Sequence, residues 1–277
     1  MEMVAASKMR KAVGSAQSTR SYSTMAWQLV LSLAGKTESE FHPLLVKRPV
    51  KKVGLVLISS NRGLCGGFNS GIAMKAVKEV ERLEKDGAEV EIITMGRRGR
   101  DILRRFKPNI AADFTKEDLT TNTGEISGLS HLILEDFIAG KLDKVVIAYT
   151  DFVSSIIQKP RLLQLLPLEM AADEELGKVS KEKEKLAAVE QGFEYLFEPN
   201  PDEVLKNLLP RLIEMQIYQA VLESDASEHS ARMMAMRNAT DAARDMIDDL
   251  SLAYNQARQA GITREIAEIA GGKAALE

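Results

Sequence analysis

The sequence predicts a protein of mixed α+β and α/β class, in which two long terminal helices flank a small α/β domain. The first 34 residues contain no proline and one glycine, Gly14, which is typical of a long helix. Between Val53 and Leu168, short aliphatic and β-branched runs alternate with helical patterns, so strands and helices alternate there. After Asn200, apolar residues keep helical spacing almost to Gly261, which indicates a second long helix.

Length and composition narrow the class of protein. At 277 residues, the chain has room for one or two domains of about 150 residues. Its 37 basic and 40 acidic residues give a net charge of −3, which excludes the basic excess typical of nucleic-acid binders. Cys65 is the single cysteine, so the chain forms no internal disulfide and has no paired-cysteine metal site. The apolar runs are too short for the roughly 20 residues that span a bilayer.

The N-terminal helix carries small side chains, including Ala5, Ala12 and Ala16, along its length. Small residues let two helices approach closely, so we expect this helix to pack against another. No Ser, Thr, Asp or Asn precedes the helical pattern at Met1, although such residues usually cap a helix start. We therefore expect the helix to extend further upstream and the sequence to be N-terminally short.

The middle of the chain predicts a small Rossmann-like α/β domain with a largely parallel sheet. The predicted strands are Val53–Ser59, Val90–Met95, Val145–Tyr149 and Leu162–Leu166, and the predicted helices are Ile72–Leu83 and Leu129–Ile138. We expect each helix to cover one face of the sheet. The predicted domain limits are 1–45 for the N-terminal helix, 50–170 for the α/β domain, 171–200 for a charged connecting segment and 201–277 for the C-terminal helix.

The C-terminal helix has a clear start signal. Asn200 provides a cap, Pro201 fits the first helical position, and two acidic residues follow in the first turn, where they favour a helix. Pro210 removes a backbone donor inside the predicted helix, so we expect a kink or a restart there. Methionines at 233, 234 and 236 fit either the core of a helix pair or a surface that faces a partner.

The glycine-rich segment Ser59–Asn69 lies between a predicted strand and a predicted helix, where nucleotide folds place phosphate loops. It contains neither Gly-x-Gly-x-x-Gly nor a Gly-Lys-Ser or Gly-Lys-Thr motif, so the phosphate-loop fingerprints are missing. This favours a tight turn that positions Arg62 for a partner. Cys65 has no histidine near it in sequence, which favours a structural thiol over a nucleophile.

Five segments of the chain closely resemble the gamma subunit of rotary F-type ATP synthases. They are Met1–Lys11, Arg62–Asn69, Ala226–Asp241, Tyr254–Gln259 and Ile262–Ile266. The resemblance covers essentially the whole chain in order. Family members begin with a further basic helical stretch, which agrees with the uncapped start. Some plastid members carry an inserted cysteine pair for redox control, which a chain with one cysteine lacks.

The resemblance implies a central rotor shaft, with the terminal helices wound as an antiparallel coiled coil inside a ring of alpha and beta subunits. It implies no catalytic residue, cofactor or metal in this chain, no nucleic-acid partner and one copy per complex. Arg258, Gln259 and Thr263 would contact a catch loop of beta, whereas Lys8, Arg62 and Arg232 would meet the acidic levers of beta. Tyr195 and Glu198 would lie at the foot, near the epsilon subunit and the membrane c ring. The expected location is peripheral, on the cytoplasmic face of the inner membrane.

Two other classes of function remain open on residue patterns alone. A nucleotide-binding enzyme would use the glycine-rich segment and would bind ATP or NAD as an isolated chain. A coiled-coil scaffold with an α/β head would self-associate through its long helices. Co-purification with ATPase subunits distinguishes both from the shaft.

Overall fold

The computed structural model describes residues 1–34, 42–106, 109–168 and 200–274. The helices are α1 (Glu2–Ala34), α2 (Phe68–Lys85), α3 (Arg97–Leu103), α4 (Ser127–Ile138) and α5 (Pro201–Ala274). The strands are β1 (Lys52–Ile58), β2 (Glu89–Met95), β3 (Ile110–Phe114), β4 (Lys144–Phe152) and β5 (Gln158–Leu166). Both long helices, the two helices expected in the middle and the four expected strands are confirmed. The charged connecting segment lies almost wholly outside the described residues.

The described strands form one sheet in the order β3-β2-β1-β4-β5. The pairs β1–β2, β1–β4 and β2–β3 are parallel, and only β4–β5 is antiparallel. The largely parallel sheet is therefore confirmed. Because just five residues, 153–157, connect β4 to β5, the chain must turn back on itself, since a parallel pair needs a crossover of a dozen or more residues.

The two faces of the sheet are covered by different helices. Leu55 points to the face where Ile72 of α2 packs, whereas the next residue, Val56, packs with Ile133 of α4 and Leu212 of α5. Successive side chains of a strand point to opposite faces, so β1 is buried on both sides and reads as a continuous apolar run. The expectation that α2 and α4 each cover one face is confirmed.

Two elements, β3 and α3, were not predicted from the sequence. β3 lies at the edge of the sheet, and its five residues are at most half-buried, so it lacks the apolar run of a central strand. α3 has seven residues, four of them charged. It starts after Gly96, whose φ is +105°. A Cβ there would lie 2.3 Å from Ser59 O, so this position requires glycine.

The start of α5 is capped as expected, because Glu203 N donates to Asn200 Oδ1 at 2.8 Å. Of the two outcomes expected at Pro210, a kink or a restart, the restart does not occur, since the helix is continuous from Pro201 to Ala274 with Pro210 inside it. Leu209 and Leu212 on either side of the proline are buried in the core. Their packing offsets the roughly 3 kcal/mol that an internal proline costs a helix.

α1 packs against the N-terminal part of α5. Gln219 Nε2 donates to Ala16 O at 3.3 Å, and Thr19 lines a cavity of about 390 Å³ together with Met215. Moving forward along α1 therefore means moving backward along α5, so the two helices run antiparallel where they meet. The small residues that permit this approach are buried in α1: Ala5, Ala12 and Ala16.

By its contacts the chain divides into two compact units, 1–234 and 235–277. The first holds the sheet, helices α1 to α4 and the N-terminal part of α5. In the second, the side chains from 237 to 270 are exposed, and they include Met246, Leu250 and Tyr254. Within the described part of the chain, no helix has the length and apolarity needed to cross a bilayer.

Candidate partner-binding site

Three loops at the carboxyl edge of the sheet contact α5, and we call them the collar. They are residues 59–67 after β1, 115–122 after β3 and 153–157 after β4. They meet because the carboxyl ends of parallel strands lie at one edge of a sheet. Each loop is hydrogen-bonded to α5. Arg232 Nη2 of α5 donates to Arg62 O (3.3 Å), Thr120 N donates to Asp225 Oδ2 of α5 (2.9 Å), and Ser230 Oγ of α5 donates to Ser155 O (2.6 Å). Residues 217–230 of α5, which include the residues bound by the collar, are buried on every side of the helix.

A buried ion triad links the collar to α5. Lys116 Nζ lies 2.5 Å from Asp225 Oδ1 and 2.7 Å from Glu228 Oε2, and the three side chains are 1%, 0% and 5% exposed. Glu228 also binds Arg232 Nη1 at 2.9 Å, one helical turn further along α5. Two cations therefore face two carboxylates, which lets the charges compensate one another out of water.

Burial and pairing shift the pKa values of the triad in different directions. Burial works against the charge on Lys116, but the carboxylates of Asp225 and Glu228 outweigh it and raise the pKa of the lysine. Burial also works against the charge on Glu228, yet Lys116 and Arg232 hold the pKa of this carboxyl below its usual value. Asp225 is the most buried of the three, and burial raises its pKa. Lys116 and Glu228 therefore form the firmly charged pair.

His229 ties the same loop to α5 through its neutral ring. Its Nε2 lies 2.8 Å from Asp118 O, and its Nδ1 lies 3.3 Å from Arg232 Nη1. A carbonyl oxygen only accepts and a guanidinium only donates, so Nε2 carries the proton and Nδ1 accepts. Burial lowers the pKa of His229, although Glu228 opposes the shift.

Asp118 joins two of the cations that the resemblance singled out. Its Oδ2 lies 3.0 Å from Lys8 Nζ and 3.9 Å from Arg62 Nη1, with side chains 36% (Lys8), 78% (Arg62) and 40% (Asp118) exposed. The hydrogen bond from Lys8 lowers the pKa of Asp118. Because Arg232 binds the Arg62 carbonyl, the structure brings Lys8, Arg62 and Arg232 together, and we call these three residues the cationic cluster.

The glycine-rich segment forms a turn in which the carbonyl oxygens of Arg62 and Gly63 accept hydrogen bonds from Arg232. Arg62 O accepts from Ser60 Oγ at 2.6 Å as well as from Arg232. Leu64 and Gly66 have φ values of +63° and +57°, which close the turn. The hydrogen bonds from Ser60 and Arg232 fix the backbone at Arg62, so the turn positions this arginine. Cys65 is buried within it, and burial raises the pKa of its thiol.

Arg258, Gln259 and Thr263 lie on α5 in the second unit and are exposed. Gln259 and Thr263 are four positions apart and lie on one side of the helix, whereas Arg258 comes one position before Gln259, roughly 100° around the helix axis. Tyr195 and Glu198 fall outside the described residues.

Sequence reasoning missed Lys116, Asp118 and Arg98 as members of this site. An added Cβ at Gly63 would lie 3.4 Å from Arg98 Nη2, so this exposed arginine of α3 lies beside the turn. The sequence signals for all three were weak, because β3 and α3, the elements that place them, carry no strong pattern. In the sequence, the two acidic residues Asp225 and Glu228 look like ordinary polar positions of a long helix.

The chain matches the family model described as ATP synthase over residues 1–276. It is 43% identical over 277 residues to the ATP synthase gamma chain of Pelotomaculum thermopropionicum, covering 100% of this chain and 92% of the relative. It is 37% identical over 276 residues to the ATP synthase gamma chain of Legionella pneumophila strain Corby, again covering 100% and 92%. The chain belongs to the ATP synthase gamma-chain family, as its sequence resemblance predicted.

Solved structures agree with this assignment. The central stalk and c-ring structure of the Tetrahymena thermophila mitochondrial ATP synthase contains a chain that matches with a TM-score of 0.61 and 25% identity, covering 87% of this chain and 97% of that one. A chain of the Euglena gracilis mitochondrial ATP synthase matches with a TM-score of 0.58 and 17% identity, covering 98% and 95%. The second match supports the fold alone.

Proposed function

We propose that this chain is the central rotor shaft of an F-type ATP synthase, which couples proton flow across a membrane to ATP synthesis or hydrolysis. The observation that carries the proposal is the match to gamma chains along the full length of the sequence. In this role the chain does no bond chemistry. It drives the catalytic beta subunits through their conformations by presenting a different face to each one.

The coupling is a difference in contact free energy between beta conformations, since a bound element shifts an equilibrium only by its differential affinity for the states. A shaft that does this must move with its α/β domain as one piece. The collar supports that requirement within the first unit, because its loops hold α5 by hydrogen bonds and by the buried triad. The antiparallel run of α1 and α5 supports an antiparallel coiled coil of the terminal helices.

The proposed contacts follow the resemblance residue by residue. The cationic cluster of Lys8, Arg62 and Arg232 meets the acidic levers of beta, and its shared location in the structure supports a single contact area. Arg258, Gln259 and Thr263 meet the beta catch loop. Tyr195 and Glu198 meet the epsilon subunit and the c ring. One copy of the chain serves each complex, and the chain itself is peripheral, at the cytoplasmic face of the inner membrane.

Reconstitution tests the proposal. We expect the full chain, combined with the other ATP synthase subunits in sealed vesicles, to restore ATP-driven proton pumping that is absent when the chain is left out. The isolated chain should bind no ATP or NAD stoichiometrically and show no ATPase turnover. Nucleotide turnover that co-elutes with this chain alone would favour the enzyme alternative. Stable self-association without assembly into the complex would favour the scaffold.

A further inference from the structure

The cationic cluster already has an internal anionic partner. Asp118 Oδ2 binds Lys8 Nζ at 3.0 Å and lies 3.9 Å from Arg62 Nη1. Both cations lie where the proposed function puts the carboxylates of a beta lever. Arg232, the third member, is instead paired with the buried Glu228. The two exposed members of the cluster therefore share one aspartate.

The loop that carries Asp118 is fixed on both sides of that residue. Before it, Lys116 is held by Asp225 and Glu228 in the buried triad. At the residue itself, the backbone carbonyl accepts from His229 Nε2 at 2.8 Å. Two positions after it, Thr120 N donates to Asp225 Oδ2. With its backbone anchored to α5, Asp118 cannot leave the cluster by moving the loop, and only its side chain is free to rotate.

We infer that Asp118 is a built-in counter-ion, which the carboxylates of an acidic partner displace when they bind Lys8 and Arg62. The inference rests on the proposed function, since that function supplies the acidic partner. The two pairs differ in strength, because Arg62 is mostly exposed and 3.9 Å away whereas Lys8 is hydrogen-bonded to Asp118. Arg62 is therefore the cation that a partner captures first, and Lys8 follows when a second carboxylate replaces Asp118.

This arrangement sets a requirement on the partner. A single carboxylate gains little binding free energy, because it competes with Asp118, whose backbone is anchored next to the two cations. A segment with neighbouring acidic residues satisfies both cations at once and leaves Asp118 to water. The cationic cluster therefore binds runs of acidic side chains in preference to isolated ones. While no partner is bound, Asp118 also reduces the positive charge that the chain exposes at the cluster.

A labelled hexaglutamate peptide tests the inference with the full chain. Its binding is followed by fluorescence anisotropy at about 0.01 M salt, where charges interact over roughly 30 Å. We expect Asp118→Asn to bind the peptide about two- to fivefold more tightly than the parent, the range that one exposed ion pair contributes. Asp118→Glu keeps the carboxylate and should return the affinity to that of the parent.

Asp136→Asn is the matched control, because it also removes one negative charge and also leaves a lysine without its carboxylate. Lys141 Nζ, which follows α4, lies 2.7 Å from Asp136 Oδ1. Equal tightening by Asp136→Asn and Asp118→Asn, or no change with Asp118→Asn, overturns the inference. Lys8→Ala with Arg62→Ala should weaken binding by the parent. If it does not, the peptide binds elsewhere and the counter-ion inference is wrong, while the rotor function is still judged by proton pumping. Thermal melts confirm that each variant is folded.

Discussion

The ammonium of Lys116 lies 2.5 Å from the carboxylate of Asp225, and both side chains are shut off from water. Asp225 comes from the long helix α5, and Lys116 comes from the loop that follows the edge strand β3. The pair therefore joins the α/β domain to α5 with charges that must compensate each other, since an unpaired buried charge is costly.

Removing one member of this pair should be much more destabilising than removing a surface pair. We expect Lys116→Met to lower the free energy of unfolding by about 3–5 kcal/mol, because Asp225 loses its buried cation and Glu228 keeps only Arg232. The double variant Lys116→Met with Asp225→Leu should recover most of that loss, since Glu228 keeps Arg232 as its partner. Urea unfolding of the full chain measures both.

Lys141→Met is the control for this prediction. It breaks a pair of similar length with Asp136, but Lys141 is largely exposed, so the cost should stay within about 1 kcal/mol. A loss from Lys116→Met as small as the loss from Lys141→Met would mean that the triad does not hold the loop to α5.

His229 should make the fold less stable in mild acid. Its pKa in the folded chain is lowered by burial, whereas in the unfolded chain it is about 6.5. The unfolded chain therefore binds more protons as the pH falls through 6.5, and the free energy of unfolding falls with it. The urea midpoint should drop between pH 7.5 and 5.5, and His229→Gln, which keeps a donor and an acceptor, should reduce that drop.

His131→Gln is the comparison for the acid effect. His131 is exposed on the surface of α4, next to Glu135 and outside the collar, so His131→Gln should reduce the drop in the midpoint less than His229→Gln does. An equal drop in the parent and in His229→Gln would show that other groups cause the acid sensitivity.

Dithiol reductants should not regulate a complex that contains this chain. Cys65 is the single cysteine, so no internal disulfide exists to be reduced. It is also buried, and burial raises the pKa of its thiol, which lowers its reactivity at neutral pH. ATPase activity of the reconstituted complex should be equal with and without dithiothreitol. A several-fold activation would contradict this expectation.

Arg258 and Gln259, the proposed contacts to the beta catch loop, should affect proton pumping without affecting the stability of the chain. Arg258→Ala with Gln259→Ala removes exposed side chains, so the melting temperature of the isolated chain should hardly change. Assembly or ATP-driven proton pumping should fall, because hydrogen bonds to charged groups contribute about 1.5–3 kcal/mol each.

Arg244→Ala is the matched control for the catch, since it removes an exposed arginine of the second unit that pairs with Asp241 on the same helix. It should leave assembly and pumping as in the parent. Normal pumping by the double alanine variant would contradict the catch assignment and leave the rotor assignment to the other contacts.

Elements with strong local patterns were predictable from the sequence. The central strand β1 is buried on both faces, so its apolar run was visible without a structure. The edge strand β3 is at most half-buried, so it gave no such signal. The helix does not restart at Pro210, because the packing of Leu209 and Leu212 maintains a helix that local propensity disfavours.

The candidate site was predictable only in part. Lys8, Arg62 and Arg232 came from a resemblance to known gamma subunits, and the structure shows in addition that they lie close to one another. The resemblance assigned no role to Asp118 or to the buried triad. Their roles depend on which loops meet at the carboxyl edge of the sheet, and this follows from the strand order.

The two long helices, the central strands, the capped start of α5 at Asn200 and the family were all readable from the sequence. These features depend on periodicity, turn chemistry and motifs, which act between neighbouring residues. The contact between Lys116 and Glu228, 112 positions apart in the chain, and the contact between Asp118 and Lys8 became visible only in the fold. The physical reason is that a buried ion pair is set by the path of the backbone through the whole sheet, and a charged residue has the same local pattern whether it is buried or exposed.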